Sequence, residues 1–321
     1  MKKDINRRSF LATSVVTSVG AGLAFNFEEK VLLAQTKTKP ARVRERAKGK
    51  TGKFPTGKIR GLSLSRLICG GNLISGFAHS RDLIYVSSLL RKYFTDEKIY
   101  ETWQLCEREG IDTMLMRIDD HVIRLVNTYR KEYGGKFKWV AQCKLKEQDM
   151  MVDIKRAADN GADAAYIHGG VADELVEKGR ADLLAKAVEL IKQNGLVAGI
   201  GGHSLDVPVT CETVGIDADF YMKTINSKSY WSAGLKPRND SVWCETPELT
   251  IEFMEKVKKP WIGYKVLGAG AIKPYEGFRY AFENGVDFIC AGMFDFQVEE
   301  DVKIAKDILN TKLKRKRAWY S

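Results

Sequence analysis

The side chains best suited to moving protons near neutral pH are scarce in this chain: it has four histidines, His79, His121, His168 and His203. Three of them stand in polar company at the ends of apolar runs. Arg117, Asp119, Asp120 and His121 fall within five positions, His168 closes the run 164–167, and His203 precedes Ser204 after the run 197–201. Lysines are placed in the same way, with Lys144 after 139–143, Lys223 within 220–224 and Lys265 within 261–267. An ammonium at the end of an apolar run must find partners or give up its proton more readily, because burying it unpaired is costly. Converging, such groups could polarise a carbonyl oxygen and pass a proton to or from it. Alternatively, His121, His168, His203 and Glu245 offer the imidazole and carboxylate donors that suit a divalent metal. Any one of the histidines taken alone is equally well explained as a structural hydrogen-bonding residue, and Asp120 as the cap of a following helix.

What could bring them together is a repeating two-part pattern. Short runs rich in β-branched residues at 65–70, 113–118, 139–144, 164–168, 197–201, 220–224, 261–267 and 288–292 read as strands. Helical periodicity covers 96–109, 120–133, 150–160, 181–194, 247–257, 274–284 and 299–309, and Gly110, Gly161, Gly195 and Gly285 stand where a helix C-terminus favours glycine. Eight such units predict an α/β fold, a single-domain (β/α)8 TIM barrel over residues 59–311, rather than an open doubly wound sheet, since no G-x-G-x-x-G opens a helix after a strand. A barrel carries its chemistry at the C-terminal ends of its strands, where all four histidines fall. The turns Gly268-Ala269-Gly270 and Ala291-Gly292 follow the last two strands, where barrels often bind phosphate; tight turns that need small residues explain them equally well. The connections 72–93 and 226–246 are longer than linking demands and are expected to shape a substrate pocket.

The net charge of +11 does not point to nucleic acid. Residues 1–60 hold 15 Lys and Arg against 4 Asp and Glu, the remainder is balanced at 37 of each, and the body 61–311 is slightly acidic. Such a body does not draw in a phosphate backbone by its field. The excess lies in residues 35–58, read as a basic linker, and in residues 312–321, read as a solvated basic tail. At the N-terminus, Asn6-Arg7-Arg8-Ser9-Phe10-Leu11 followed by a weakly apolar run to Phe27 matches a twin-arginine export signal over residues 1–34. That predicts a periplasmic or other extracytoplasmic protein with no membrane span beyond an N-terminal tether. The six cysteines form no C-x-x-C pair, and Cys69, Cys143 and Cys290 lie inside expected strands, where a buried inert thiol is the expected state.

In order along residues 58–310 the chain resembles the aldo/keto reductase superfamily. Ile59-Arg60-Gly61-Leu62 through Gly70-Gly71-Asn72 is similar to that family's opening, and Glu107-Arg108-Glu109-Gly110-Ile111 to its approach to the second strand. Trp139-Val140-Ala141-Gln142-Cys143-Lys144 resembles the strand ending in the family's catalytic lysine, and Gly161-Ala162-Asp163 through His168 the strand ending in its catalytic histidine. Gly263-Tyr264-Lys265-Val266-Leu267-Gly268-Ala269-Gly270 is similar to its seventh strand and places Tyr264 where an aromatic ring stacks on the nicotinamide. The resemblance implies NADP or NAD, with Tyr264, Lys265, Gly268, Gly270 and Gly292 near it and His203-Ser204 in place of the Ser-Asn pair that holds the carboxamide. It departs where Arg117 and His121 replace the Asp and the proton-donating Tyr, and where Met293 to Gln297 give no counterpart of the adenosine-phosphate pocket.

Two accounts of function follow. In the first, an oxidoreductase acts on a carbonyl or hydroxyl of a sugar-like or other small polar substrate; His121, oriented by Asp119 or Asp120, gives the proton, Lys144 tunes it and His168 holds the oxygen. In the second, a lyase, epimerase or hydrolase, metal-dependent or not, uses the same barrel; a barrel kept for binding alone is the third use of the scaffold. The export signal is tested directly: a chain carrying both Arg7→Lys and Arg8→Lys should accumulate unprocessed in the cytoplasm, and equal export of the double variant removes the twin-arginine reading.

Overall fold

The eight apolar runs do become eight strands, and a short hairpin precedes them. The computed structural model describes residues 54–78, 83–230, 233 and 244–320; the export signal and His79 lie outside them. Strands β1 (Thr56–Ile59) and β2 (Leu62–Ser65) pair antiparallel. Then β3 (Leu67–Gly70), β4 (Thr113–Arg117), β5 (Lys138–Cys143), β6 (Ala164–Ile167), β7 (Val197–Gly202), β8 (Phe220–Thr224), β9 (Trp261–Tyr264) and β10 (Phe288–Ala291) close in sequence order, β10 pairing back onto β3. Every barrel pairing is parallel. The helices are α1 (Val86–Tyr93), α2 (Asp96–Arg108), α3 (Asp120–Glu132), α4 (Met151–Asp159), α5 (Gly169–Glu177), α6 (Ala181–Gln193), α7 (Asp206–Thr213), α8 (Pro247–Lys256), α9 (Pro274–Glu283) and α10 (Asp295–Leu309). None of the described helices is long and apolar enough to cross a membrane.

The strand period of two sorts side chains into two cores. Ile68, Leu115, Val140, Ala164, Tyr166, Phe220, Met222, Ile262, Phe288 and Cys290 fill the barrel, while Met114, Trp139, Ile167, Tyr221, Trp261 and Ile289 on alternate positions pack under the helices. The hairpin stoppers the N-terminal end of the barrel, with Ile59 and Leu64 buried in the inner core. Its two-residue turn, Arg60-Gly61, has both residues at positive φ, the geometry whose twist matches a hairpin's strands.

Several boundaries differ from expectation. The folded body begins ahead of residue 59, with Phe54 already buried. The seventh strand stops at Tyr264, because Lys265 takes a φ of 59° that no strand continues. Helix α10 starts at Asp295, four residues before the expected 299. Helices α1, α5 and α7 were not expected: α5 opens on Gly169-Gly170 and α7 contains Pro208, poor helix formers that tertiary packing overrides. All six cysteines are free and buried.

The largest correction concerns the C-terminus, which is not a solvated tail. Asp287, fully buried at the start of β10, lies 3.4 Å from both Arg315 and Arg317. Arg315 also donates to the carbonyls of Phe282 and Val286 at 2.7 and 2.9 Å, and Arg317 to those of Val257 and Lys259, both at 2.9 Å. The ring of Trp319 lies between the guanidinium groups of Arg66 and Arg315, at 3.8 and 3.4 Å. Arg315 and Arg317 thus satisfy backbone carbonyls rather than meet water, while Lys312, Lys314 and Lys316 stay exposed. Asp287→Ala leaves three neighbouring guanidinium groups without their carboxylate and should cost about 3–5 kcal/mol of stability, read as a fall in denaturant midpoint; an unchanged midpoint would show the cluster to be ornamental.

Candidate active site

At the opposite end of the barrel, the register of β5 on β6 pairs Cys143 with Ile167, so Lys144 and His168, one residue further on, leave the barrel next to each other. The backbone N–H of His168 donates to the Cys143 carbonyl at 2.9 Å, and the helix α5 starts immediately after it. Below this layer Gln142 donates to the Tyr166 hydroxyl at 2.6 Å, closing the interior. The imidazole of His168 is half-buried, with its Nδ1 atom buried and, among the described residues, without a hydrogen-bond partner. Burial first, then the charges of His203, Lys144 and Arg117, bring its pKa down to about 4.

His203, just past the end of β7, meets a residue that the sequence reading passed over. Asp173, on the second turn of α5, accepts the ring Nδ1–H of His203 at 2.6 Å, the backbone N–H of His203 at 2.9 Å and that of Ser204 at 3.0 Å. One carboxylate therefore fixes the tautomer and the orientation of the ring, leaving Nε2 as its second nitrogen. Burial lowers the His203 pKa, Asp173 opposes this, and the ammonium groups of Lys265 and Lys223 lower it further. From β8, Lys223 donates to the His203 carbonyl at 2.8 Å and to the Thr224 hydroxyl at 2.9 Å; it is 1% exposed and its pKa falls to about 8. That is what a lysine inside an apolar strand requires: partners and a depressed pKa together.

The His168 and His203 rings meet edge to face with centroids 6.4 Å apart, and Tyr264 lies 5.6 Å from His203 on the other side. Gly169 lies where these rings converge. A Cβ there would meet the Tyr264 hydroxyl at 2.8 Å and the His203 ring at 3.0 Å, so only glycine lets the rings approach. The signal for Asp173 was available, since Gly169-Gly170 after His168 followed by an acid one helical turn later is an unusual helix opening, but nothing local pairs that acid with a histidine 30 residues on.

Other expected site residues are placed elsewhere. His121 stands exposed on the first turn of α3, its Nδ1 accepting from Arg124 at 3.3 Å, while Arg124 itself forks onto Asp96. This takes it out of the cluster of His168 and His203. Asp119 caps α3, accepting the Val122 N–H at 2.9 Å, and pairs with Arg117 at 3.0 Å; Asp120, expected as that cap, is exposed and paired with Arg156. Glu245 is exposed, its backbone carbonyl taken by Lys228. Among the described residues no three His, Cys, Asp or Glu side chains converge as a metal requires, so His121, His168, His203 and Glu245 are not a ligand set. Ser204 turns to Asp206 at 2.9 Å.

Most of the expected phosphate positions are also committed, although Gly270 is exposed and open. Gly268 to Gly270 form a single 3₁₀ turn with the Tyr230 ring against Gly268, and Leu73 lies over Gly292. At the N-terminus of α10 sits Asp295, whose carboxylate takes Tyr93 and, at 3.0 Å, Lys98. A carboxylate already holds the positive end of that helix, so these residues do not fit the phosphate groups of NADP.

Solved structures of similar shape place the fold. An aldo-keto reductase of Pseudomonas aeruginosa superposes with a TM-score of 0.56 at 17% identity, over 80% of this chain and 94% of that one. An aldo-keto reductase of Bacillus halodurans in its holo form does so with a TM-score of 0.50 at 12% identity, over 79% and 91%. The barrel is built like those of the aldo-keto reductases. No protein-family model and no curated protein matches the sequence, so this likeness is one of fold.

The depressed pKa of His168 carries a sign. Between its ordinary 6.5 and about 4 the unfolded chain binds a proton that the folded chain does not, so this residue makes stability fall as pH drops through that window and adds nothing to the slope above it. NMR titration of the ring should show the neutral form down to about pH 4, and a midpoint near 6.5 would mean that the imidazole is open to water.

Proposed function

We propose that the chain is an enzyme that moves a proton at a carbon bearing or adjoining a carbonyl or hydroxyl group of a small polar substrate, a reaction of the epimerase or lyase kind. The observation that carries this reading is the Asp173–His203 pair set against a second, neutral imidazole, His168, whose Nδ1 has no hydrogen-bond partner among the described residues. His203, neutral and held through Nδ1, takes the proton from the carbon beside the carbonyl through Nε2. The electron pair moves into the enolate, whose oxygen is met by His168 and the ammonium of Lys144. Return of the proton to the other face gives the epimer. Expulsion of a β-hydroxyl, protonated by the imidazolium of His203, gives the unsaturated product and water.

A second reading keeps the oxidoreductase. It is favoured by the aldo-keto reductase-like barrel and by Tyr264 at the mouth. In it His203 takes the hydroxyl proton of an alcohol while the carbon gives up hydride to an acceptor. The committed phosphate positions count against NADP as that acceptor. In either reading the twin-arginine signal would have the reaction run outside the cytoplasm.

The two readings separate in one experiment. Purified full-length protein incubated in D2O with a panel of sugars and oxo-sugars should place deuterium on carbon without added nucleotide. His203→Ala and Asp173→Asn should each slow that exchange on the order of a hundredfold or more. Product formed only with NAD or NADP, with no deuterium on carbon, overturns the acid–base reading in favour of the redox one.

A further inference from the structure

Arg117 is a cation held ready at the mouth. It ends β4, and the register pairs it with Gln142, so Lys144, one residue past the end of β5, follows close by, and both cations act on His168. Two contacts fix its guanidinium. The Phe77 ring lies against its face at 3.9 Å, and Asp119 takes Nη2 at 3.0 Å. Asp119 is itself anchored, because its other oxygen accepts the Val122 N–H that caps α3. A guanidinium carries five N–H groups, and the contact with Asp119 leaves most of them without an acceptor among the described residues. Lys144 donates to Asp153 only through its backbone N–H; its ammonium has no hydrogen bond or ion pair among the described residues.

The surrounding charges do not balance these two. His168, which feels both of them, is neutral above about pH 4. Asp173 is committed to His203 and Ser204, and Asp119 to Arg117 and the helix cap. Lys223 and Lys265 add positive charge from the far side of His203. With Asp153 also accepting the Lys144 backbone N–H, the carboxylates beside these cations already hold other donors, and the open N–H groups of Arg117 and Lys144 suit an added anion.

We infer that the substrate carries a carboxylate, taken by the open edge of Arg117 with the ammonium of Lys144 beside it. This rests on the reading of the site as an enzyme for small polar carbonyl or hydroxyl compounds, and it narrows that class to hydroxy and oxo acids. A carboxylate is planar and presents two oxygens at the spacing of two guanidinium N–H groups, which a rigidly held arginine matches and a lysine does not. A phosphate is the other small anion, but the helix start and glycine turn where this barrel would hold one are filled by Asp295 and Tyr230. With its carboxylate at Arg117, the acid has its neighbouring carbons directed towards His168 and Lys144.

The test measures binding, apart from turnover. The full-length protein is titrated calorimetrically with gluconate and glucuronate, with glucitol and glucose as neutral counterparts, and with inorganic phosphate and glucose 6-phosphate. The acids should bind at least tenfold more tightly than the neutral compounds and than the phosphates. Arg117→Gln should remove that preference, Arg117→Lys should restore little of it, and Lys144→Gln should weaken it in part; melting temperatures confirm that each variant is folded. Equal affinity for neutral sugars, a preference for phosphates, or acid binding unchanged in a folded Arg117→Gln protein would each overturn the inference. Deuterium exchange into a neutral sugar, indifferent to Arg117→Gln, would sink this inference and leave the acid–base reading standing. Arginine-dependent binding of acids with no exchange into any of them would do the reverse.

Discussion

The carboxylate of Asp173 is the point on which the mouth of this barrel depends. It accepts the imidazole N–H of His203 and two successive backbone N–H groups, so a single anion joins the helix after β6 to the end of β7. From that bond follow the tautomer of His203, the seating of its ring against Tyr264 and the need for a glycine at 169 between them. The same anion offsets the buried charge of Lys223, whose ammonium grips the backbone of His203 from the next strand. Three elements far apart in sequence are thereby held in one arrangement, which is what a preorganised site requires.

The barrel has a matching anchor at its other end, with a different purpose. Asp287 is as buried as any residue in the chain and is surrounded by arginines that also cap strand and helix carbonyls. Nothing there faces a cleft, and the aromatic and aliphatic parts of the cluster are closed over by Trp319. In parallel barrels the strands' N-terminal ends serve stability and their C-terminal ends carry chemistry; here a fully buried carboxylate, Asp287, lies at the first and a partly exposed one, Asp173, at the second.

Charge also separates this barrel from a simple variation on the aldo-keto reductase plan. The likeness covers four-fifths of the chain in fold; within it Arg117 pairs with Asp119 at the end of β4, and Asp295 pairs with Lys98 at the start of α10. Both pairs bear on the sign of the group that each region attracts. Arg117 leaves a cation in reach of His168 alongside Lys144, and Asp295 leaves an acid at the start of the last helix.

How much of this was legible in the sequence differs from one feature to the next. The strands, most helices and the placing of Lys144 beside His168 follow from local patterns: a period of two, a period of 3.6, glycine at helix ends, and parallel connections that keep strand order equal to chain order. Those rules are local, so the sequence alone determined the barrel and, for most strands to within a residue, where they end, while the seventh stops three residues early at Tyr264. It could not determine which way a side chain leaves once a strand has ended. His121 is two residues into a helix rather than at the end of a strand, and that shift turns it onto the exposed rim beside Arg124. Asp173 is read locally as one more polar residue on a helix surface and becomes the partner of His203 only because β6 and β7 are neighbours. The basic C-terminus looks solvated until the barrel supplies a buried acid and a ring of carbonyls for it to cover. Pairings of this kind depend on residues tens or hundreds of positions apart meeting in space, and only the closed tertiary structure decides them.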